Sequence, residues 1–290
     1  MRRPARPRAA TTRLAAATLA TATLAAAACG TPGPELTGAG GSFPAPVYAR
    51  WAAAYARRTG VRVNYQPIGS GGGLRQVAER TVDFGATDVP GPTGRAGGDG
   101  GRVAYVPMLA GAVAVTYQLP GLAAPLRLTP EVLAALFLGR VTRWDDPRVA
   151  ALNPGVRLPA LDVLVVHRAE GSGTTYILAD YLSAASEAWR AGPGRGTSVR
   201  WPAGVGVRGN DGVAGLVRRT PGAVGYVEAA YAARAGLPAA ALRNRAGAFV
   251  APSPAATASA TAAVPVPADL RVSLVDAPGA ASYPVASLTW

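Results

Sequence analysis

Two glycine-rich turns constrain this chain most, because each follows a strand-like run and each opens a helical one. The first is Gly69-Ser70-Gly71-Gly72-Gly73, after the alternating Val61–Tyr65 and before the helical Leu74–Arg80. The second is Gly171-Ser172-Gly173-Thr174-Thr175, after the apolar Leu161–Val166 and opening a helical run over Thr174–Leu182. A period of two that hands over to a helical period through glycine marks a strand–turn–helix unit. Other segments repeat the pattern. Pro46 starts a helix in which Val47, Tyr48, Trp51, Ala54 and Tyr55 recur at helical spacing until Gly60 stops it. Val82–Asp88 reads as a strand ending on an acid, and Thr129-Pro130-Glu131 as a helix start before an apolar run to Leu138. Val103–Met108 and Ala112–Tyr117 read as further strands. Residues 89–102, rich in Gly and Pro, read as a loop. Residues 247–268, rich in Ala, Pro, Ser and Thr and without periodicity, read as a mobile loop. No internal repeat is visible. The expectation is an α/β protein with largely parallel sheets covered on both faces.

The 290 residues suffice for one or two domains with a sizeable core, and 49% apolar content argues against wholesale disorder. All 29 basic residues are Arg, so lysine chemistry (P-loop, Schiff base, Ser–Lys dyad) is excluded. One His (His167) and one Cys (Cys29) exclude His/Cys metal clusters and intramolecular disulfides. Five of the +13 charges, Arg2, Arg3, Arg6, Arg8 and Arg13, precede the uncharged apolar stretch Leu14–Ala28. That stretch is shorter than the about 20 residues a membrane span needs. A basic segment, a short apolar one and small residues before a cleavage point read as an export signal over residues 1–28. Ala26-Ala27-Ala28-Cys29-Gly30 resembles a bacterial lipobox, with Ala26 where Leu is preferred. Cys29 is therefore the expected lipidation site, residues 29–36 a tether, and the outer face of the cytoplasmic membrane or the periplasm the location. The remaining arginines are scattered, so no nucleic-acid partner is expected.

The two turns also carry chemistry. A helix N-terminus leaves backbone N–H groups unpaired and has a partial positive end, so it suits an anion. Ser and Thr hydroxyls add donors, and glycine lets a ligand reach the backbone. Plain punctuation is the alternative for each turn taken alone. Arg168 lies four residues before Ser172, and an arginine fork beside such a turn suits a tetrahedral oxyanion; a structural salt bridge is its alternative. Asp88 reads as a cap, or as an acceptor for an anion that still carries a proton. Phosphate near neutral pH keeps a P–OH and sulfate keeps none. A carboxylate facing the ligand would accept from the first and repel the second, at a cost of roughly 3–5 kcal/mol by analogy with broken buried pairs.

Several blocks, in order along the chain, resemble one family. They are GAGGSFPAPVY (Gly38–Tyr48), IGSGGG (Ile68–Gly73), VDFGATD (Val82–Asp88), RWDD (Arg143–Asp146) with LNPG (Leu152–Gly155), and RAEGSGT (Arg168–Thr174). GNDGVAG (Gly209–Gly215) and TPGAVGYVE (Thr220–Glu228) continue the match. The blocks are similar to the phosphate-binding proteins of phosphate ABC importers, the PstS family. The resemblance implies phosphate contacts at Ser42 and the Phe43 backbone with Gly41 beside them. It implies that Ser70 caps the first glycine-rich helix and donates its hydroxyl, and that Asp88 reads the phosphate proton. Arg168 would supply the charged fork, and Ser172, Gly173 and Thr174 the second helix N-terminus. Glu170 stands where the family usually has Asp and would orient or neutralise Arg168.

The implied fold is type II periplasmic-binding-protein-like: two α/β lobes joined by crossing strands, closing on the ligand by a hinge. Lobe I would comprise residues 37–108 plus 283–290, and lobe II residues 109–282. The family adds a strand and helices beyond a segment like Ser282–Trp290, so the first lobe is expected to be truncated at its C-terminus, with core residues exposed. The implied function is phosphate binding and delivery to an ABC permease and ATPase, with no cofactor, no metal and no catalysis. Two alternatives stand beside it. One is a surface-anchored phosphate sensor or adhesin. The other is a phosphoester hydrolase with Ser172 or Ser70 as nucleophile and His167 as base, although no G-x-S-x-G elbow is present.

Overall fold

The computed structural model describes residues 33–91, 103–122 and 125–290. The expected signal (1–28), Cys29 and residues 92–102 lie outside the described residues. Strand β1 (Glu35–Gly40) begins inside the segment expected to be a tether. It pairs in parallel with β2 (Arg62–Gln66), Glu35 opposite Arg62, and with β3 (Phe84–Ala86), Gly38 opposite Phe84. Helix α1 (Ala45–Thr59) connects β1 to β2, and α2 (Ser70–Ala78) connects β2 to β3. Pro46 presets the first turn of α1, as expected. Helix α2 lies so close to β1 that a Cβ at Gly73 would fall 2.4 Å from the Gly40 Cα. Only glycine permits that contact.

Strand β4 (Leu109–Tyr117) leads to a larger unit. In chain order this holds β5 (Arg127–Leu128), α3 (Pro130–Phe137), α4 (Pro147–Ala150), β6 (Leu164–Arg168), α5 (Gly173–Ala185) and α6 (Glu187–Ala191). Then come β7 (Val205–Val207), α7 (Gly209–Arg219), β8 (Ala223–Glu228), α8 (Ala229–Arg234), β9 (Ala241–Arg243), β10 (Phe249–Val250), α9 (Pro254–Ala262) and β11 (Ala286–Thr289). The main sheet has the order β11-β4-β8-β6-β7, and a small sheet the order β10-β9-β5. The first half of β4 pairs with β11, and its second half, from Val113, pairs with β8. Beyond β11, Trp290 exchanges two 2.9 Å backbone hydrogen bonds with Thr87, just past β3. Strands β4 and β11 thus join two α/β lobes.

Three expectations need correction. The main sheet is mixed: β11, β4 and β8 run antiparallel to their neighbours in turn, while β8, β6 and β7 are parallel. The antiparallel part is the crossing itself, whose direction an apolar run does not encode. Residues 103–107 form no strand, and Val103, Val106 and Met108 are exposed. Residues 247–268 are not a loop throughout. They contain β10 and α9, the latter capped by the Ser253 hydroxyl accepting from Ala256 N. Helix α9 packs Ala256, Thr257 and Ala260 against β4 and β11. A buried face built of such small side chains shows no apolar contrast in sequence.

The core sits in the second lobe. Trp144, Trp189, Tyr226, Phe137, Leu133 and Leu136 are fully buried there, each large apolar side chain worth about 1.5–3 kcal/mol. Their polar handles are satisfied: Trp144 Nε1 donates to Gly222 O and Trp189 Nε1 to Gly194 O, both at 2.9 Å. Helix α1 of the first lobe buries no residue. Its Tyr48, Trp51 and Tyr55, with Phe84, Met108 and Trp290, line an open apolar groove of about 620 Å³.

Candidate functional site

The lobes meet where the two glycine-rich turns face each other. Gly71 N donates to Gly171 O at 3.1 Å across the boundary. From the first lobe, β3 delivers Asp88 two residues past its end, almost fully buried. Its Oδ1 accepts from the Thr289 hydroxyl at 2.5 Å, and its backbone N donates to Ser70 Oγ at 3.4 Å. Its Oδ2 is buried with no hydrogen-bond partner. Burial pushes the Asp88 carboxyl up to about 7, against the opposing pull of the Thr289 hydroxyl, the Arg168 charge and the Ser70 hydroxyl. Ser70 is the first residue of α2 and not its cap: Gly69 holds the cap position, with no side-chain cap bond. The Ser70 hydroxyl is free of the helix end and turns to Asp88 instead.

From the second lobe, β6 ends on Arg168, buried and fixed by its N donating to the Tyr226 hydroxyl at 3.0 Å. Its Nε donates to Glu170 Oε1 at 2.9 Å, its Nη2 donates to the same oxygen, and Nη1 reaches Thr174 Oγ1 at 3.4 Å. Burial opposes a charge on Glu170, but the Arg168 hydrogen bond and charge and the Gly209 N–H outweigh it and hold its carboxyl below the ordinary value. Ser172 caps α5, its Oγ accepting from Thr175 N at 3.1 Å. Gly173, the first residue of α5, faces Asp88: a Cβ there would lie 2.3 Å from Asp88 Oδ2 and 2.6 Å from Ser70 Oγ. Any side chain would collide. Asp88 and the first turn of α5 thus stand side by side across the lobe boundary.

Gly41, Ser42 and Phe43 follow β1. The Tyr65 hydroxyl donates to Gly41 O at 2.6 Å and the Tyr231 hydroxyl to Ser42 O at 2.7 Å. The Phe43 ring is buried against Gly111 of β4. A Cβ on Gly41 would fall 3.0 Å from Asp88 Oδ2 and 3.2 Å from Ser70 Oγ. All nine expected residues therefore gather at one lobe boundary. The arrangement offers a buried guanidinium, two helix N-termini, hydroxyls from both lobes and two carboxyl oxygens without a partner, Asp88 Oδ2 and Glu170 Oε2. His167 does not join it. Its ring stacks on Trp201 at 4.8 Å, its Nδ1 lies 3.1 Å from Arg168 O, and burial lowers its pKa.

Residues 12–290 match the pattern of the PBP superfamily domain. Over 258 residues the chain is 43% identical to the phosphate-binding protein PstS of Pasteurella multocida, covering 88% of this chain and 74% of that one. The chain belongs to the PstS family. It is also 44% identical over 220 residues to PstS of Haemophilus influenzae, covering 76% of this chain and 65% of the relative's length. The fold resembles the crystal structure of a phosphate-binding protein from Stenotrophomonas maltophilia, with TM-score 0.60 and 23% identity over 88% of this chain and 77% of that one.

Among the residues that sequence reading missed are some that hold this PstS-family cleft together. Thr289, Tyr226 and Tyr231 supply hydroxyls to Asp88, Arg168 and Ser42. Asn210, fully buried, bridges Ser42 and Thr174. Asn210 and Tyr226 lie inside blocks that carried the resemblance, which was the available signal. Nothing local marks Thr289 or Tyr231.

Proposed function

We propose that the protein binds inorganic phosphate between its lobes and delivers it to an ABC permease and its ATPase. The observation that carries this reading is Asp88, a buried carboxyl with one oxygen unpartnered, set against a helix N-terminus and near a buried arginine. Cationic and N–H donors gather any oxyanion; an acceptor among them favours one that keeps a proton. Phosphate is such an anion at neutral pH and sulfate is not. Arg168, Ser42, Ser70, Thr174, Gly41 and the backbones of Phe43, Ser172 and Gly173 supply the donors and the close approach. Phosphate stabilises the closed form, which the permease reads. The lobes would divide as residues 37–108 with 283–290 and residues 109–282.

The protein acts as a binding protein and not as an enzyme. A serine hydrolase with His167 as base would need that ring beside Ser172 or Ser70, whereas the ring stacks on Trp201 and its Nδ1 lies against Arg168 O. Export and lipidation at Cys29 would hold it at the outer face of the membrane; among the described residues no helix is long and apolar enough to cross one. Calorimetric titration of phosphate into the protein, with a thermal-shift measurement beside it, tests the reading. Saturable heat and a raised Tm are expected. Absence of both overturns it.

A further inference from the structure

Asn210, the second residue of α7, is fully buried at the lobe boundary. Its Oδ1 accepts from the backbone N of Glu228 at 3.0 Å. A backbone N–H can only donate, so this contact fixes which way the amide faces: oxygen toward β8, NH₂ toward the cleft. The NH₂ group then donates to Ser42 Oγ at 3.0 Å and to Thr174 Oγ1 at 3.4 Å. Thr174 Oγ1 also receives Arg168 Nη1 at 3.4 Å, so both its lone pairs are engaged. A hydroxyl that accepts from fixed donors must point its own proton elsewhere. For Ser42 and Thr174 the direction left is the cleft.

We propose that Asn210 is the positioning residue that sets the polarity of the Ser42 and Thr174 hydroxyls, so that both act as donors to bound phosphate. The inference rests on the reading of this cleft as the phosphate site. Without the amide each hydroxyl is free to turn its proton away from the cleft and to accept from other donors. Ser42 belongs to the first lobe and Asn210 to the second, 168 residues away. The donor set is therefore completed only when the lobes close. Tyr231 holds the Ser42 backbone independently through its carbonyl, so loss of the amide leaves Ser42 in place and changes only where its proton points.

The test is a double-mutant cycle read by phosphate calorimetry on the full mature chain, with Asn210→Ala, Ser42→Ala and the pair. Asn210→Ala should weaken phosphate binding about tenfold, and that loss should shrink to about threefold in the Ser42→Ala background, the remainder acting through Thr174. Losses that multiply, with no coupling, overturn the proposal, because a merely structural Asn210 acts through Glu228 and is indifferent to the Ser42 hydroxyl. Asn210→Leu serves should the alanine variant not fold: it keeps the volume without a charge and removes the NH₂ donor. Its loss should shrink about threefold when Ser42→Ala is added; an equal loss in both backgrounds contradicts the proposal. Failure of the unmutated protein to bind phosphate would instead sink the reading of the cleft itself.

Discussion

The two lobes contribute to the same cleft by different physical means. In the second lobe Arg168 and Thr174 project from β6 and α5, elements packed on fully buried Trp189, Tyr226 and Phe137. In the first lobe α1 buries nothing, and Trp51 and Tyr55 stay 45% and 47% exposed. Its site residues are held instead by hydrogen bonds from its returning C-terminal strand and from the other lobe: Thr289 of β11 to Asp88, and Tyr231 and Asn210 to Ser42. A lobe with a thin core can still present a fixed site when the crossing strands and its partner lobe hold the polar groups. The second lobe is the anvil, and the first is positioned on it.

Breaking the strong side should cost most. Arg168→Met should abolish phosphate binding and destabilise the fold by about 1–3 kcal/mol, because it leaves the half-buried Glu170 with only the Gly209 N–H as partner. Calorimetry and urea unfolding read the two effects. Trp144→Ala, in the second lobe's core, should cost about 3–5 kcal/mol in the same unfolding experiment. Trp51→Ser on the first lobe should cost under about 1 kcal/mol. Equal losses for the two tryptophans would erase the contrast between the lobes.

A subtler probe is pH. The Asp88 carboxyl is raised from its ordinary value of 3.8 to about 7 in the folded protein. Folding therefore favours its protonated form, and the stability this supplies, present below about pH 4, is lost as pH rises toward 7. Asp88→Asn removes that dependence. Without ligand, the variant should gain on the unmutated protein between pH 4 and 7, by no more than about 4 kcal/mol. Thermal unfolding across this range checks the sign. The smallest effect is expected from Tyr231→Phe, which deletes one cross-lobe hydrogen bond worth about 1 kcal/mol. Phosphate affinity should fall about fivefold with little change in Tm.

The same contrast explains what the sequence made legible. The strand-to-helix handovers at Gly69–Gly73 and Gly171–Thr175 are local, and so were visible as glycine punctuation beside apolar runs. Arg168 and Asp88 stand next to those features and could be picked out with them. Thr289 reaches Asp88 across 201 positions and Tyr231 reaches Ser42 across 189, with no neighbouring pattern to betray either. Helix α9 escaped notice because alanine and threonine make up its buried face. The antiparallel crossing escaped because the apolar run of β4 reads the same in either direction. Ser70 was mistaken for a cap because Gly69, which lacks a side chain, takes that position.

The central claim is that Asp88 makes this cleft a site for a protonated oxyanion. Calorimetric titration of phosphate and of sulfate, into the unmutated protein and into Asp88→Asn at about pH 8.5, above the Asp88 value of about 7 so that its carboxyl is ionised, tests it most directly. The account predicts strong phosphate and negligible sulfate binding by the unmutated protein, with sulfate gaining on phosphate by at least about tenfold in Asp88→Asn. Unchanged discrimination in the variant, or sulfate bound as well as phosphate by the unmutated protein, would contradict it.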